Sequence, residues 1–298
     1  MDTRFLDTLV MVIECGSLAE AARRLNLTAS AVAQRIQAIE AEIGVPLVAR
    51  SGRTVHPTIA AVSVLERALA IQREVRDLKS VAASGILTGE LRLGVVPSML
   101  TGFVPDVLAR FSASHPQIEL RIVRADSADA YRDLMEERTD VAITSEPPFA
   151  IPKTCEWSLL REEPYVVLAP AMIQGHDPLA ILRQEPFIRL HRKLHAGQAI
   201  DRYLRKKGIR PIERFELDGL DAIAIMVDRG LGVALLPDYA PPWPEGLTLR
   251  KIPVSDRSMV RRVGLLWARA SLRIGLINAF ERQARQTVSR KVRRPQRR

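Results

Sequence analysis

The chain has 298 residues, 47% apolar and 26% charged, the balance of a folded globular protein and not of a disordered one. Its two cysteines, Cys15 and Cys155, form no CxxC or metal spacing, so a disulfide scaffold is not expected and a reducing compartment is. A net charge of +10 suggests an acidic partner such as nucleic acid, yet residues 1–60 carry six arginines against six acids, while residues 289–298 carry six basic residues and no acid.

Phe5, Leu9, Val12 and Ile13 recur at helical spacing and predict an amphipathic helix that stops at Gly16. Ser17-Leu-Ala-Glu20 is a capping box in which Glu20 can reach back to the start of the next helix. That helix is short and carries Leu18, Ala21, Ala22 and Leu25, with alanines small enough for close approach of a neighbour. Asn26-Leu27 makes a turn and Thr28 is the N-cap of a third helix. The third helix places Val32, Ile36, Ile39 and Ile43 on one stripe and ends at Gly44. Two helices joined by a short turn form a helix-turn-helix, whose second helix can enter a major groove. With the stripe facing inward, Ala29, Ser30, Ala33, Gln34 and Gln37 face out; between Thr28 and Ile39 no acid lies and Arg35 is the single charge, a candidate with them for contact with DNA. A small three-helix protein-binding bundle has the same pattern.

Leu47-Val48 and Thr54-Val55 flank Ser51-Gly52 and predict a hairpin, or wing, that presents Arg50, Arg53 and His56 as phosphate donors. From Thr58 to about Ser84 there is neither Pro nor Gly. Ile59, Val62, Leu65 and Leu69, then Ile71, Val75, Leu78 and Ala82, form an apolar stripe with one register shift. Such a stripe suits a two-helix dimer seam through Val62, Leu65, Leu69, Val75 and Leu78, or packing on its own chain.

Beyond Gly85 the pattern alternates strands with helices. The predicted strands are 90–96, 118–123, 140–144, 165–169, 187–190, 215–217, 231–236 and 263–267. Between them run helices over 100–111, near Tyr131 to Met135, 200–207, 220–229 and finally 274–286. This is the signature of an α/β domain with a parallel sheet.

The N-terminal residues together resemble the LysR-type transcriptional regulators. The resemblance is carried by Gly16-Ser17, Ala21-Ala22-x-x-Leu25, Thr28-x-Ser30-Ala31-Val32, Ile36-x-x-Ile39-Glu40, Ile43-Gly44-x-x-Leu47, Arg50, Arg53 and Thr58. It extends through Leu91-Arg-Leu-Gly94, His115-Pro-x-Ile-Glu-Leu120, Asp140-Val-Ala-Ile143 and Met226-Val-Asp-Arg-Gly-Leu-Gly-Val-Ala-Leu-Leu-Pro237. Ala29, Ala33 and Val48 depart from the family's usual residues, as does Ile59-Ala60-Ala61, and the first two remove polar side chains from the face toward DNA. The resemblance implies an α plus α/β protein: an N-terminal winged helix-turn-helix (1–58), a long linker helix for dimerisation (59–88), and a C-terminal two-lobed periplasmic-binding-protein-like α/β effector domain (89–288). Lobe I is expected over 90–160 plus 268–288 and lobe II over 161–267, with crossover strands near 161–166 and 263–267. The basic tail 289–298 lies outside the resemblance and is expected to be disordered.

In open α/β sheets ligands sit beyond the carboxyl ends of the strands, where helix N-termini supply free N–H groups. The positions there are Ser98, Thr101, Ser127, Thr144 and Ser145 in one lobe, and Arg189, His191, Gly219 and Asp221 in the other. The cluster Arg189, Arg192 and Lys193 favours an anionic effector. Asp221 either caps its own helix or receives a ligand amine. His191 and His195 stand four apart without a carboxylate or thiol beside them, so no metal is expected, and Gly230-x-Gly232 lacks the strand-then-helix context of a dinucleotide site. No nucleophile–base pair, paired carboxylates or phosphate loop appears, so neither an enzyme nor a cofactor is expected. The implied partners are double-stranded promoter DNA, a small-molecule effector, RNA polymerase and further copies of the chain as a homodimer or homotetramer. An effector-independent regulator and a binding protein with a helical appendage are the alternatives. No apolar run approaches the about 18 residues of a membrane span, and Asp2 and Asp7 do not suit a secretory signal, so a cytoplasmic location is expected.

Overall fold

The computed structural model describes residues 2–52, 54–82, 87–239 and 241–293, without the side chains of 73, 74, 76–82 and 290–293. The chain divides into two compact units, Met1–Glu90 and Leu91–Arg298.

In the first unit, helix α1 (Thr3–Cys15) ends at Gly16, which adopts φ 60° and donates its N–H to the Val12 carbonyl. Glycine is the residue that reaches this left-handed geometry without a Cβ penalty. The Gly16 carbonyl accepts from the Val55 N–H at 2.8 Å, which fastens the end of α1 to the wing. Helix α2 (Leu18–Arg24) is capped by Ser17, but only at 3.5 Å to the Glu20 N–H. The expected capping box is half made: the Glu20 carboxylate turns to Arg23 and Arg24 instead. Asn26 turns the chain with φ 54°, and Thr28 accepts from the Ala31 N–H at 3.2 Å to start α3 (Ala29–Ile43). Leu9, Val12, Ala21, Val32, Ile36 and Ile39 are buried together. Each large aliphatic there contributes about 1.5–3 kcal/mol by leaving water, which holds α2 and α3 at a fixed angle.

The wing consists of β1 (Val48–Ser51) and β2 (Thr54–Pro57), antiparallel. Glu40 of α3 accepts from the Leu47 and Val48 N–H groups at 2.7 and 3.0 Å, which ties α3 to the wing. Thr58 donates to the Pro46 carbonyl and caps α4 (Ile59–Ala82) through the Ala61 N–H. Ala61 and Ala68 of α4 are buried in the helical core, with Val64 packed against it. The opposite side leaves Ile59 91% and Val62 62% exposed.

The second unit is built on a seven-stranded sheet. Its strands are β3 (Gly89–Val95), β4 (Ile118–Arg124), β5 (Val141–Ser145), β6 (Cys155–Pro170), β9 (Ala234–Pro237), β10 (Leu249–Pro253) and β11 (Val260–Ala268). The order is β10-β6-β11-β5-β3-β4, with β9 also on β6. A parallel pair, β7 (Pro186–Leu190) and β8 (Ile212–Leu217), touches the run before β9 through the bridge Phe187–Val233. The 16-residue β6 is the element that makes two lobes. Up to Pro164 it pairs with β11; from Tyr165 to Pro170 it pairs with β9 and β10. The first crossover therefore falls inside the expected 161–166 window.

The second crossover does not fall where the sequence suggested. Val263–Leu266 already pair with β5, so 263–267 belong to lobe I and the change of lobe occurs at Val260–Arg262. A register shift sits between Val263 and Gly264. A Cβ on Gly264 would stand 2.3 Å from the Ser158 carbonyl, so only glycine lets β11 lie this close to β6 at the shift.

Helices α5 (Pro97–Gly102), α6 (Val104–Ser114) and α7 (Ser127–Met135) belong to lobe I. The single helix expected over 100–111 is broken at Phe103, immediately before the Val104-Pro105 start of α6. Lobe II holds α8 (Pro178–Gln184), α9 (His195–Lys206) and α10 (Leu220–Asp228). Helix α11 (Ile274–Arg293) returns to lobe I, where Phe280 meets Phe111 edge-on at 5.3 Å and Glu281 accepts from Ser158 Oγ. It is longer than expected and takes in residues 289–293 of the basic segment; residues 294–298 lie outside the described residues.

Candidate nucleic-acid interface and ligand cleft

In the N-terminal unit, Thr28, Ala29, Ser30, Gln34 and Gln37 are exposed and Ala33 is half-buried on the outer side of α3. Thr28 and Ser30 share a hydroxyl–hydroxyl hydrogen bond of 3.1 Å beside the cap. On the wing, Arg50 and His56 are exposed, and His56 Nε2 lies 3.4 Å from Thr54 Oγ1. Arg53 lies outside the described residues. Arg35 differs from expectation. Its guanidinium turns back onto α1, donating to Thr8 Oγ1 at 3.3 Å and lying 5.9 Å from the Phe5 ring centroid. It buttresses α3 against α1 and is not free on the outer face. The surface left over is polar, uncharged along α3 and cationic at the wing, which suits base edges flanked by phosphate.

On α4, Val62 is exposed and Leu65, Leu69 and Val75 are half-buried. The side chain of Leu78 lies outside the described residues. Val62, Leu65 and Leu69 fall on one helix face, about a quarter turn from buried Ala61 and Ala68.

The two lobes of the second unit enclose a cleft of about 570 Å³. One wall comes from the start of α5 and the loop from β4 into α7; the other comes from the starts of α9 and α10; the floor is Ser145 and Arg261. Ser98, Thr101, Ser127, Ser145, Gly219 and Asp221 line it as expected. Thr144 does not: it is fully buried within β5 and its hydroxyl has no partner among the described residues. Arg189 does not either. It is buried against Asp201 and Glu213. His191 also lies outside the lining residues, its Nδ1 accepting the Lys193 N–H at 3.1 Å. Arg192 pairs with Glu213 and Glu216. The cluster that favoured an anion is thus an ion network within lobe II.

On the floor, sequence reasoning found Ser145 and missed Arg261. Arg261 on β11 is 8% exposed and faces the fully buried Glu163 on β6, with Nε 2.7 Å from its carboxylate. Arg261 Nη2 also donates to Ser98 Oγ at 3.0 Å. One ion pair therefore joins both crossovers to the first turn of α5. Arg161 adds a second contact to Glu163 at 3.2 Å. The available signal was the repeat of charges in two otherwise apolar strands, Arg-Glu-Glu at 161–163 and Arg-Arg at 261–262. His195, set aside with the metal question, lines the cleft at the start of α9; burial pushes its imidazole below the usual range, opposed by the charge of Asp126. Arg124, Asp126, Asp129 and Asp218 complete the charged lining. Asp126 caps α7 through the Ala128 and Asp129 N–H groups, and Asp221 accepts from the Tyr239 hydroxyl. Burial and that carboxylate push the Tyr239 phenol up.

Comparison with known proteins agrees with this division. The pattern described as "Bacterial regulatory helix-turn-helix protein, lysR family" matches residues 3–62, and "LysR substrate binding domain" matches residues 84–289. The IlvY transcriptional regulator of Escherichia coli is 27% identical over 291 residues, covering 94% of this chain and 97% of that protein. The CbbR regulator of Sinorhizobium medicae is 33% identical over 181 residues, 59% of this chain and 55% of that one. Among solved structures, full-length CbnR complexed with its target DNA superposes with a TM-score of 0.71 at 20% identity, covering 96% and 100% of the two chains. A mutant of Corynebacterium glutamicum OxyR gives 0.64 at 23% identity, covering 98% and 93%. With both domain patterns matched in order over most of its length, the chain belongs to the LysR family of DNA-binding transcriptional regulators, a winged helix-turn-helix joined to a domain for a small-molecule effector.

Proposed function

We propose that the outer face of α3, through Thr28, Ser30, Gln34 and Gln37, reads promoter bases in the major groove while Arg50, Arg53 and His56 of the wing hold phosphates. Two copies pair along α4 through Val62, Leu65 and Leu69, and pairs of dimers form the tetramer. The protein works in the cytoplasm as a regulator, not an enzyme. A small molecule held between Ser98 and Ser145 on one side and Gly219 and Asp221 on the other favours one arrangement of the lobes. That bias repositions the DNA-binding pairs and alters recruitment of RNA polymerase. A ligand can shift such an equilibrium only by its difference in affinity for the two states.

The observation that carries this reading is the acid-free polar face of α3, exposed and locked by Glu40 to a wing with an exposed arginine. The test is binding of the full-length protein to a fragment of its own upstream region by fluorescence anisotropy across a salt series. Gln34→Ala is expected to lower sequence preference, and Arg50→Ala to weaken binding to all sequences and reduce the salt slope by about one phosphate, roughly 0.9 in log–log units. Unchanged affinity and slope in both variants would overturn it.

A further inference from the structure

The cleft does not end at its floor. Ser145, His195, Ala196 and Arg261 also line a second cavity of about 180 Å³, so the two chambers share a wall at the crossovers. Their charges are opposite. The larger chamber has four carboxylates, Asp126, Asp129, Asp218 and Asp221, against Arg124 and an Arg261 that Glu163 already neutralises. The smaller has Arg202, Arg261 and Arg262 against Glu146. Arg262 is paired with Glu146, and Arg202 has no partner among the described residues. Asp218 likewise has none, whereas Asp126 caps a helix, Asp129 pairs with Arg132 and Asp221 takes the Tyr239 hydroxyl. At the shared wall, the Ser145 hydroxyl is on a residue only 8% exposed and has no partner among the described residues. Arg261 is equally buried, and its Nε and Nη2 are engaged while Nη1 donates to no described protein group. Burial pushes the His195 imidazole below its ordinary range, which favours its neutral form at this wall.

A bare anion entering the larger chamber meets an excess of carboxylates, and a bare cation leaves the donors of Ser145 and Arg261 unanswered. Potentials of this kind, focused between low-dielectric walls, select by charge distribution. We propose that the effector is a small zwitterion, its ammonium group held by Asp218 and the free oxygen of Asp221 at the start of α10, and its carboxylate or other oxyanion held at the wall by Ser145 and Arg261 on the side of Arg202. This rests on the reading that the effector occupies the cleft.

The experiment is calorimetric titration and thermal shift on the full-length protein with a panel of free L-α-amino acids. Each is paired with the amine that lacks its carboxylate and the acid that lacks its amine. At least one amino acid is expected to bind about tenfold or more tighter than both of its truncated partners, the value of one charge-assisted contact. Asp218→Asn, at the exposed rim, is expected to remove that advantage and leave the weaker binding of the acid unchanged. An acid that binds as tightly as its amino acid overturns the proposal, as does a panel in which nothing binds. Ala196→Trp, which fills the cleft, separates the two levels. An acid that binds as tightly as its amino acid and is displaced by it refutes the zwitterion and leaves the cleft as the effector site, whereas a probe unaffected by it shows that the cleft is not the site.

Discussion

Replacing Glu163 with leucine should strongly destabilise the effector domain although it removes no apolar side chain. Glu163 is fully buried and Arg261 is 8% exposed, so neither can turn to water. The substitution leaves Arg261 with its Nε, now 2.7 Å from the Glu163 carboxylate, facing hydrocarbon. Breaking a buried pair from one side costs about 3–5 kcal/mol, because the surviving charge stays desolvated. Arg161 adds little to this, since its side chain is 36% exposed and relaxes into solvent, worth about 0–1 kcal/mol. At about 2–4 °C per kcal/mol for a domain of this size, the midpoint should fall by roughly 6–20 °C. All three tryptophans, Trp157, Trp243 and Trp267, lie in this unit, so tryptophan fluorescence during urea unfolding reports it selectively. The double variant Glu163→Leu/Arg261→Met removes both charges and should recover most of the loss, as apolar replacements of whole buried pairs do. The adjacent Arg262→Ala is the control, for its partners Glu146 and Glu162 are solvent-exposed or half-exposed. A loss below about 1 kcal/mol for the single variant, or a double variant no more stable than the single, would refute the assignment of Arg261 and Glu163 as the joint between the crossovers.

Thr28→Ala should cost the helical unit about 1 kcal/mol through the lost cap on the Ala31 N–H, read by circular dichroism in denaturant; equal stability would show that water replaces the hydroxyl. Leu65→Glu combined with Leu69→Glu should break the proposed α4 seam and lower the mass of the assembly in sedimentation velocity, and an unchanged mass would place the seam elsewhere. His195 is depressed by burial from its ordinary 6.5, so the unfolded chain takes up the proton first as pH falls. Stability is then lost below about pH 6.5 and not regained, and His195→Gln should flatten that part of the curve between pH 7.5 and 5.5; superimposable curves would refute a buried imidazole. Deleting residues 289–298 should lower non-specific DNA affinity and its salt dependence while sparing operator preference; a change in preference would show that the segment does more.

The helix-turn-helix was legible almost residue by residue because its information is local. Gly16, Ser17, Thr28 and Gly44 are caps whose partners lie within four residues, and the stripe of Val32, Ile36 and Ile39 repeats at the helical period. What escaped was long-range. Arg35, the one charge in that stretch, was expected to face DNA and becomes a buttress because α1 brings Thr8 and Phe5 to it. In the effector domain the apolar runs gave most strands, but β10 was not foreseen, since Leu-Arg-Lys-Ile-Pro is short and half charged. The early start of β6 at Cys155 was not foreseen, since 155–160 carries no clear apolar alternation and lies ahead of the expected crossover at 161–166. Among the effector residues, serines and glycines at helix starts were found because strand-then-helix order places them at the mouth. Thr144 was misplaced by one residue: in a strand successive side chains point to opposite faces, so Ser145 faces the cleft and Thr144 the interior.

Charge shows the same division between what composition can and cannot say. The chain's +10 points to an acidic partner, and the cluster Arg189, Arg192 and Lys193 pointed to an anionic effector. Yet in lobe II Arg189 and Arg192 are consumed by Asp201, Glu213 and Glu216, and Arg161 by Glu163. These pairs fix one strand or helix to another and leave little field in the cleft, where the larger chamber is acidic. The reading surface of α3 is uncharged along its outer face as well. The proposed specificity of both sites then rests on a few groups without a partner among the described residues: Gln34, Gln37 and Arg50 on the side proposed to face DNA, and Ser145, Asp218 and Arg202 around the cleft. An arginine count over a segment measures how tightly that segment is tied to itself as much as what it binds, and only the partners of each guanidinium separate the two.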